Sequence, residues 1–295
     1  MAKPDKRPLL SYLKAQEHHE REMMFTLKRS VARMERELVK LEHKPGIGAQ
    51  VRRNQIRATM GAIHREIASY WRLAGSEIKA GRAEAAATAA ESMFTYERDL
   101  WGMVKSKTDV DTLLRAAKVQ AARTVEVVET RMLGYSRIPL SQRVYKSQQL
   151  ITGQIDRVVD HALARGSSAR ELAADVRQFI RMDTPGGPRY AAMRLARTEL
   201  NNAFHATQVR SAVQAPWVEG MRWNLSGSHP RPDECNEYAD IGVYAPDEVP
   251  AKPHPNCLCY MTPEVVSRKQ FIAQFEAGEY DQVIDKIMRD GGMNF

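Results

Sequence analysis

WNLSGSHPRPDECNEYADIGVYAPDEVPAKPHPNCLCYMTP, residues 223–263, contains all three cysteines, two of the eight histidines and half of the fourteen prolines of the chain. So many Pro and turn residues rule out a long helix. The apolar runs in and beside it, 220–225 and 241–245, are too short for an ordinary core, so something other than apolar burial has to hold the segment. Most of the chain on either side reads as helix. The stretch therefore sets the fold class: mainly α, with long N-terminal helices, a helical middle and a small metal-clipped α+β module towards the C-terminus.

Cys235, His254, Cys257 and Cys259 supply three thiolates and an imidazole, a set that suits tetrahedral zinc. The spacing departs from the usual pair of C-x2-C knuckles. One ligand stands alone at Cys235, and three are packed into the run HPNCLC from His254 to Cys259. His229 and Asp233 lie near Cys235 in sequence, where either can replace a ligand or orient one from behind. A disulfide and three unrelated thiols are the competing readings. Three cysteines cannot all pair within one chain, and residues 1–14 carry charges and Pro where a secretory signal needs an apolar core, so a reducing setting is expected and the disulfide is the weaker alternative. A cysteine nucleophile needs a base beside it; His229 and His254 qualify by type, but the crowding of Cys257 and Cys259 points to ligation.

The ordered combination of Ala196-Arg197-Thr198-Glu199 on a helix, Trp223 on a strand, the loop Ser228, His229, Arg231, Asp233, Cys235, and then His254, Pro255, Asn256, Cys257 and Cys259 resembles the phage Mu F-like minor head protein, or head morphogenesis, family. The resemblance spans about 191–263, roughly a quarter of the chain. Leu258 departs from it, since many members carry Arg between the two cysteines. The resemblance implies a virion component rather than an enzyme. It would be a structural minor head protein of a tailed bacteriophage, at the portal vertex and head interior and in the host cytoplasm during assembly, acting in head morphogenesis or in packaging or delivery of DNA. The implied partners are the portal protein and a major capsid or scaffold protein.

Residues 1–60 hold 14 Lys and Arg against 7 Asp and Glu, a surplus that accounts for nearly all of the net charge of +8. Two partners compete for this basic N-terminal region: packaged DNA, whose phosphates Lys and Arg neutralise without reading sequence, and a portal or scaffold surface. The Glu interspersed in the same helices and the scarcity of interleaved aromatics favour docking. No run approaches the 18 or so apolar residues of a membrane span, so no membrane partner is expected.

Apolar residues at 27, 31, 34, 38 and 41 follow helical spacing, and the pattern predicts one long helix over 9–41. The run KPGIG at 44–48 breaks it, and a second helix over 49–80 is expected to fold back as a hairpin. A third helix over 83–105 and a fourth from 109 or 111 to 133 complete the N-terminal region. Beyond a hinge at 134–139 come helices over 141–165, closed by Gly166, and 169–181, opened by a Ser168/Glu171 capping box. A turn at 183–188 leads to the helix carrying the family motif, 189–215.

On that last helix Ala192, Leu195, Ala196, Leu200, Ala203, Phe204 and Ala206 share one half, whereas Arg194, Arg197, Asn201, His205 and Gln208 share the other. Glu199 falls in the apolar half, where a carboxylate must find a partner. It is expected to be a structural anchor accepting from Arg222, His229 or amides of the cysteine module. His205 reads as a surface histidine, and Arg197 as a brace for a neighbouring loop. Short strands are expected at 220–225 and 243–245, a helix from a Ser267/Gln270 capping box to 275, and a last helix over 281–288.

The expected organisation is an elongated helical docking region over 1–135, a helical middle over 136–216, the Cys/His-rich module over 217–263 and terminal helices with a tail over 264–295. The alternative function is a zinc-assisted hydrolase or nuclease acting on nucleic acid, which requires an open metal position and a general base.

Overall fold

The computed structural model describes residues 7–43, 49–104, 107–131, 139–183, 186–227 and 231–290. Within them the order is α1 (Arg7–Glu42), α2 (Ala49–Trp101), α3 (Lys107–Arg131), α4 (Leu140–Arg165), α5 (Ala169–Ile180), α6 (Pro188–Val213), β1 (Val218–Asn224), α7 (Glu234–Ile241), β2 (Val243–Tyr244), β3 (Tyr260–Val265), α8 (Arg268–Glu276) and α9 (Asp281–Asp290). The protein is mainly helical, as expected. The break at 44–48, nearly all of the hinge at 134–139, part of the turn at 183–188 and the tail at 291–295 lie outside the described residues.

The two helices expected over 49–80 and 83–105 are one, α2. Ile56, Met60, Ile63, Ile67, Trp71, Ala74 and Ile78 are buried at steps of three and four, and the stripe continues through Gly81 to Ala85 and Ala89. Gly81 is in phase with that stripe, and Ala-rich sequence follows it. An isolated helical Gly costs only about 1 kcal/mol relative to Ala, too little to end a helix whose buried face continues.

By contacts the chain forms two compact units, each assembled from non-adjacent segments: Glu17–Ala80 with Ser136–Ala196, and Met1–Gln16 with Gly81–Tyr135 and Arg197–Phe295. In the first, α1 and α2 run antiparallel. His19 Nδ1 lies 2.5 Å from Glu77 Oε1, and Arg33 lies 3.3 Å from Glu66, so partners descend along one helix as they ascend the other. Helix α5 begins at the expected capping box, with Ser168 Oγ accepting from Glu171 N and the Glu171 carboxylate accepting from Ser168 N. Its Arg177 donates to Glu35 at 2.8 Å and Glu42 at 3.1 Å. Gly166 closes α4 in the left-handed region, φ 69°, where Gly carries no Cβ penalty.

The second unit contains an antiparallel sheet in the order β2-β1-β3. The sequence pattern leaves open whether the sheet has two strands or three; the third is β3, which holds Pro263. It sits on an edge of the sheet, where a missing N–H is tolerated. Beneath the sheet Trp101, Trp217, Phe271 and Tyr280 pack together, with Trp101 edge-on to Trp217 at 5.4 Å and to Phe271 at 5.1 Å. Cys235, Cys257 and Cys259 belong to the same buried cluster.

Candidate metal centre

Two short segments deliver the cysteines. Asp233 caps α7, its Oδ1 accepting from Cys235 N at 2.8 Å, while Asn236 Oδ1 accepts from Asp233 N at 3.0 Å. This reciprocal cap fixes the first turn of α7, in which Cys235 is buried and Glu234 exposed. Cys257 and Cys259 precede β3, and the residue before them, Asn256, adopts φ 63°, a left-handed conformation that Asn tolerates better than most residues. Asn256 N donates to Thr198 Oγ1 at 3.0 Å, and Asn201 Nδ2 donates to Cys257 O. The motif helix α6 thus holds the HPNC turn through two of its own polar side chains.

All three cysteines are free and buried, and their Sγ atoms lie within 4.8 Å of one another. Cys235 and Cys257 are 3.5 Å apart at sulfur, and Cys235 Sγ is 3.4 Å from His254 Nε2. Tetrahedral zinc with its usual bond lengths requires ligand-to-ligand edges of about 3.5 to 3.8 Å, which the Cys235–Cys257 and Cys235–His254 separations match to about 0.1 Å. Asp233 Oδ2 lies 3.1 Å from His254 Nε2, and His254 groups with Cys235 and Asp233, beside the three-thiol set and sharing Cys235 with it.

His254 Nδ1 is 3.1 Å from the Pro255 carbonyl. A carbonyl and a carboxylate can only accept, so both ring nitrogens face acceptors: Nδ1 the Pro255 carbonyl, and Nε2 the Asp233 carboxylate and the Cys235 sulfur.

The thiols are unequal. Cys257 is held down to about 5 by the hydrogen bond from the Cys259 thiol and by the Lys252 charge, against burial. Cys235 is pushed up to about 12, first by burial and then by negative charge on Cys257. Cys259 is pushed up because its proton is engaged by Cys257 and because it is buried. The unmetallated cluster thus favours a single thiolate at Cys257, with two thiols facing it. A divalent metal would displace those remaining protons.

The sequence reading did not single out Lys252. It is 3% exposed, its Nζ donates to the Cys259 carbonyl and lies 4.9 Å from the centre of the Trp223 ring. Burial pushes its ammonium down, and the three cysteines push it back up. A lone Lys in a Pro-rich loop carries no local signal of burial.

Asn201, His205 and Gln208, expected on the exposed side of α6, are buried along with Thr198, Asn202 and Thr207. His205 is therefore no surface histidine. Its Nε2 donates to the Pro250 carbonyl at 2.9 Å and its ring packs edge-on against Trp223 at 5.8 Å. The loop leading to the cysteines covers that side of α6 and uses its polar side chains to satisfy backbone groups. Glu199 is fully buried, as expected, and its ion pair among the described residues is with Arg82 of α2 at 3.8 Å. Arg222 pairs instead with Glu264 at 2.6 Å. Arg197 is half-buried on α6. His229 lies outside the described residues.

No protein-family model, curated protein or solved structure matches this chain. No helix among the described residues is long and apolar enough to cross a membrane.

Proposed function

We propose that this chain is a structural minor head protein of a tailed bacteriophage, placed at the portal vertex and head interior and acting in head morphogenesis or in packaging or delivery of DNA. The observation that supports the reading is the meeting of the separated parts of the motif: Thr198 and Asn201 on α6 bond directly to the turn that carries Asn256 and Cys257. Thr198, Asn256 and Cys257 carry the resemblance, and Asn201, one turn along α6 from Thr198, adds the second bond between the same two segments. The portal protein and a capsid or scaffold protein are the partners of this reading, with packaged DNA secondary at the basic N-terminal region.

The cofactor of this reading is zinc, held by Cys235, Cys257, Cys259 and His254, with the Pro255 carbonyl at Nδ1 orienting the imidazole and Asp233 beside Nε2. Its role is to clip the module together. Burial of all three sulfurs favours a closed structural site over the open position that hydrolysis needs.

The test is proteomic analysis of purified virions and proheads from the phage that encodes the chain, beside heads assembled from an amber mutant. The protein should be found in heads at low copy, and the mutant should give defective heads. Absence from both particles, or zinc-dependent cleavage of DNA abolished by Asp233→Asn, would overturn the reading in favour of the nuclease.

A further inference from the structure

A zinc ion with three thiolates and a neutral imidazole carries one net negative charge, in a site whose three cysteines are buried while the His254 side chain is 35% exposed. Burying a net charge without a partner is costly. The other charged group buried with this cluster is the ammonium of Lys252, 3% exposed. We propose that Lys252 is the internal counter-ion of the metal centre, a positioning residue that neutralises the three-thiolate complex without touching the metal.

The geometry suits this role. Lys252 Nζ donates to the carbonyl of Cys259, itself a ligand in the zinc reading, so the cation is tied to the backbone of the loop it neutralises. The Trp223 face, 4.9 Å from Nζ, supplies a second attractive surface for a cation. His205, the titratable neighbour on α6, gives its Nε2 proton to the Pro250 carbonyl at 2.9 Å and is held neutral by burial, so it adds no positive charge beside the cluster. A structural lysine has no need to be enclosed in this way: outside the site its four-carbon stem would reach water.

Counter-ion and simple packing roles predict different results. Zinc affinity of the full chain is to be measured by competition with a chromophoric chelator, for the wild type, Lys252→Met and Lys252→Arg. The methionine keeps the stem and removes the charge, whereas the arginine keeps the charge. Loss of an outer partner of a metal site typically weakens binding 10- to 100-fold. We expect a loss of that size for Lys252→Met and most of the affinity restored by Lys252→Arg.

Equal affinity of Lys252→Met and wild type, with one zinc bound by each, overturns the counter-ion role and leaves the zinc reading standing. A wild type that binds no zinc overturns both. A second measurement on the wild type covers the case in which Lys252→Met does not fold: 15N NMR of the Lys252 amine in the zinc-loaded chain at pH 7. An ammonium signal supports the proposal, and a neutral amine overturns it.

Discussion

Two titratable side chains, His205 buried and Glu97 half-buried, make opposite demands on pH. His205 is pushed down to about 3, first by burial and then by the Lys252 charge. The fold accommodates its neutral form, so its contribution is complete above the unfolded value near 6.5 and is lost as pH falls towards 3. The upper limit of that loss is ~5 kcal/mol. Replacing His205 by Gln, which keeps a donor for the Pro250 carbonyl, should flatten the decline in stability between pH 6.5 and 4; denaturant titrations that decline in parallel with the wild type would contradict this. Glu97 behaves in the reverse sense. Burial raises it from 4.5 to about 7, against the hydrogen bond that Trp101 Nε1 donates at 3.4 Å. The protonated carboxyl is the form that fits, so stability present below pH 4.5 is lost as pH rises through 7. Glu97→Gln should therefore gain up to ~3 kcal/mol over the wild type at pH 8 and nothing at pH 4. An equal gain at both values would locate the effect elsewhere.

Among the elements, β1 is the one most sharply constrained. Gly220 lies where β2 crosses closely: a Cβ there would stand 2.4 Å from Val243 Cγ1 and 3.2 Å from the Tyr244 carbonyl. The register of β1 with β3 also shifts between Val218 and Gly220, so the strand bends at this point. Gly220→Ala should lower stability by about 1 to 3 kcal/mol, the cost of overpacking. Adding Val243→Ala, which trims the colliding branch, should recover part of that loss, because residues in contact couple in double-mutant cycles. Simple additivity of the two changes, measured by thermal melts, would mean that β2 moves aside freely.

On the scale of the whole molecule, the cysteine cluster and the aromatic core around Trp101 are parts of one buried assembly, so loss of a metal would be felt through the sheet. Protein purified without chelator should carry about one zinc per chain by elemental mass spectrometry, and Cys257→Ser should carry none. Hydrogen exchange should then show lost protection in β1, α7 and β3 of the variant. Full protection in a zinc-free Cys257→Ser chain would show that apolar packing alone holds the module. The two compact units are each built from segments far apart in sequence; α1, α2 and α6 each contribute residues to both.

Local signals in the sequence determined most of the helices and where they stop. The 3.6-residue period marked α1, the Ser168 and Ser267 capping boxes opened α5 and α8, and Gly166 closed α4, since each of these acts within a turn or two of chain. The choice of soft donors also identified the cysteine cluster before any geometry was known. Tertiary structure alone decided the rest. It carried α2 unbroken past Gly81, buried Asn201, His205 and Gln208 on the side of α6 that a helical wheel leaves to solvent, placed Pro263 in an edge strand, and drew Lys252 into the thiol cluster. Each of these depends on what a distant segment lays against the residue, and burial by a partner some fifty positions away, as between Asn201 and Cys257, leaves no mark in the local pattern of either segment.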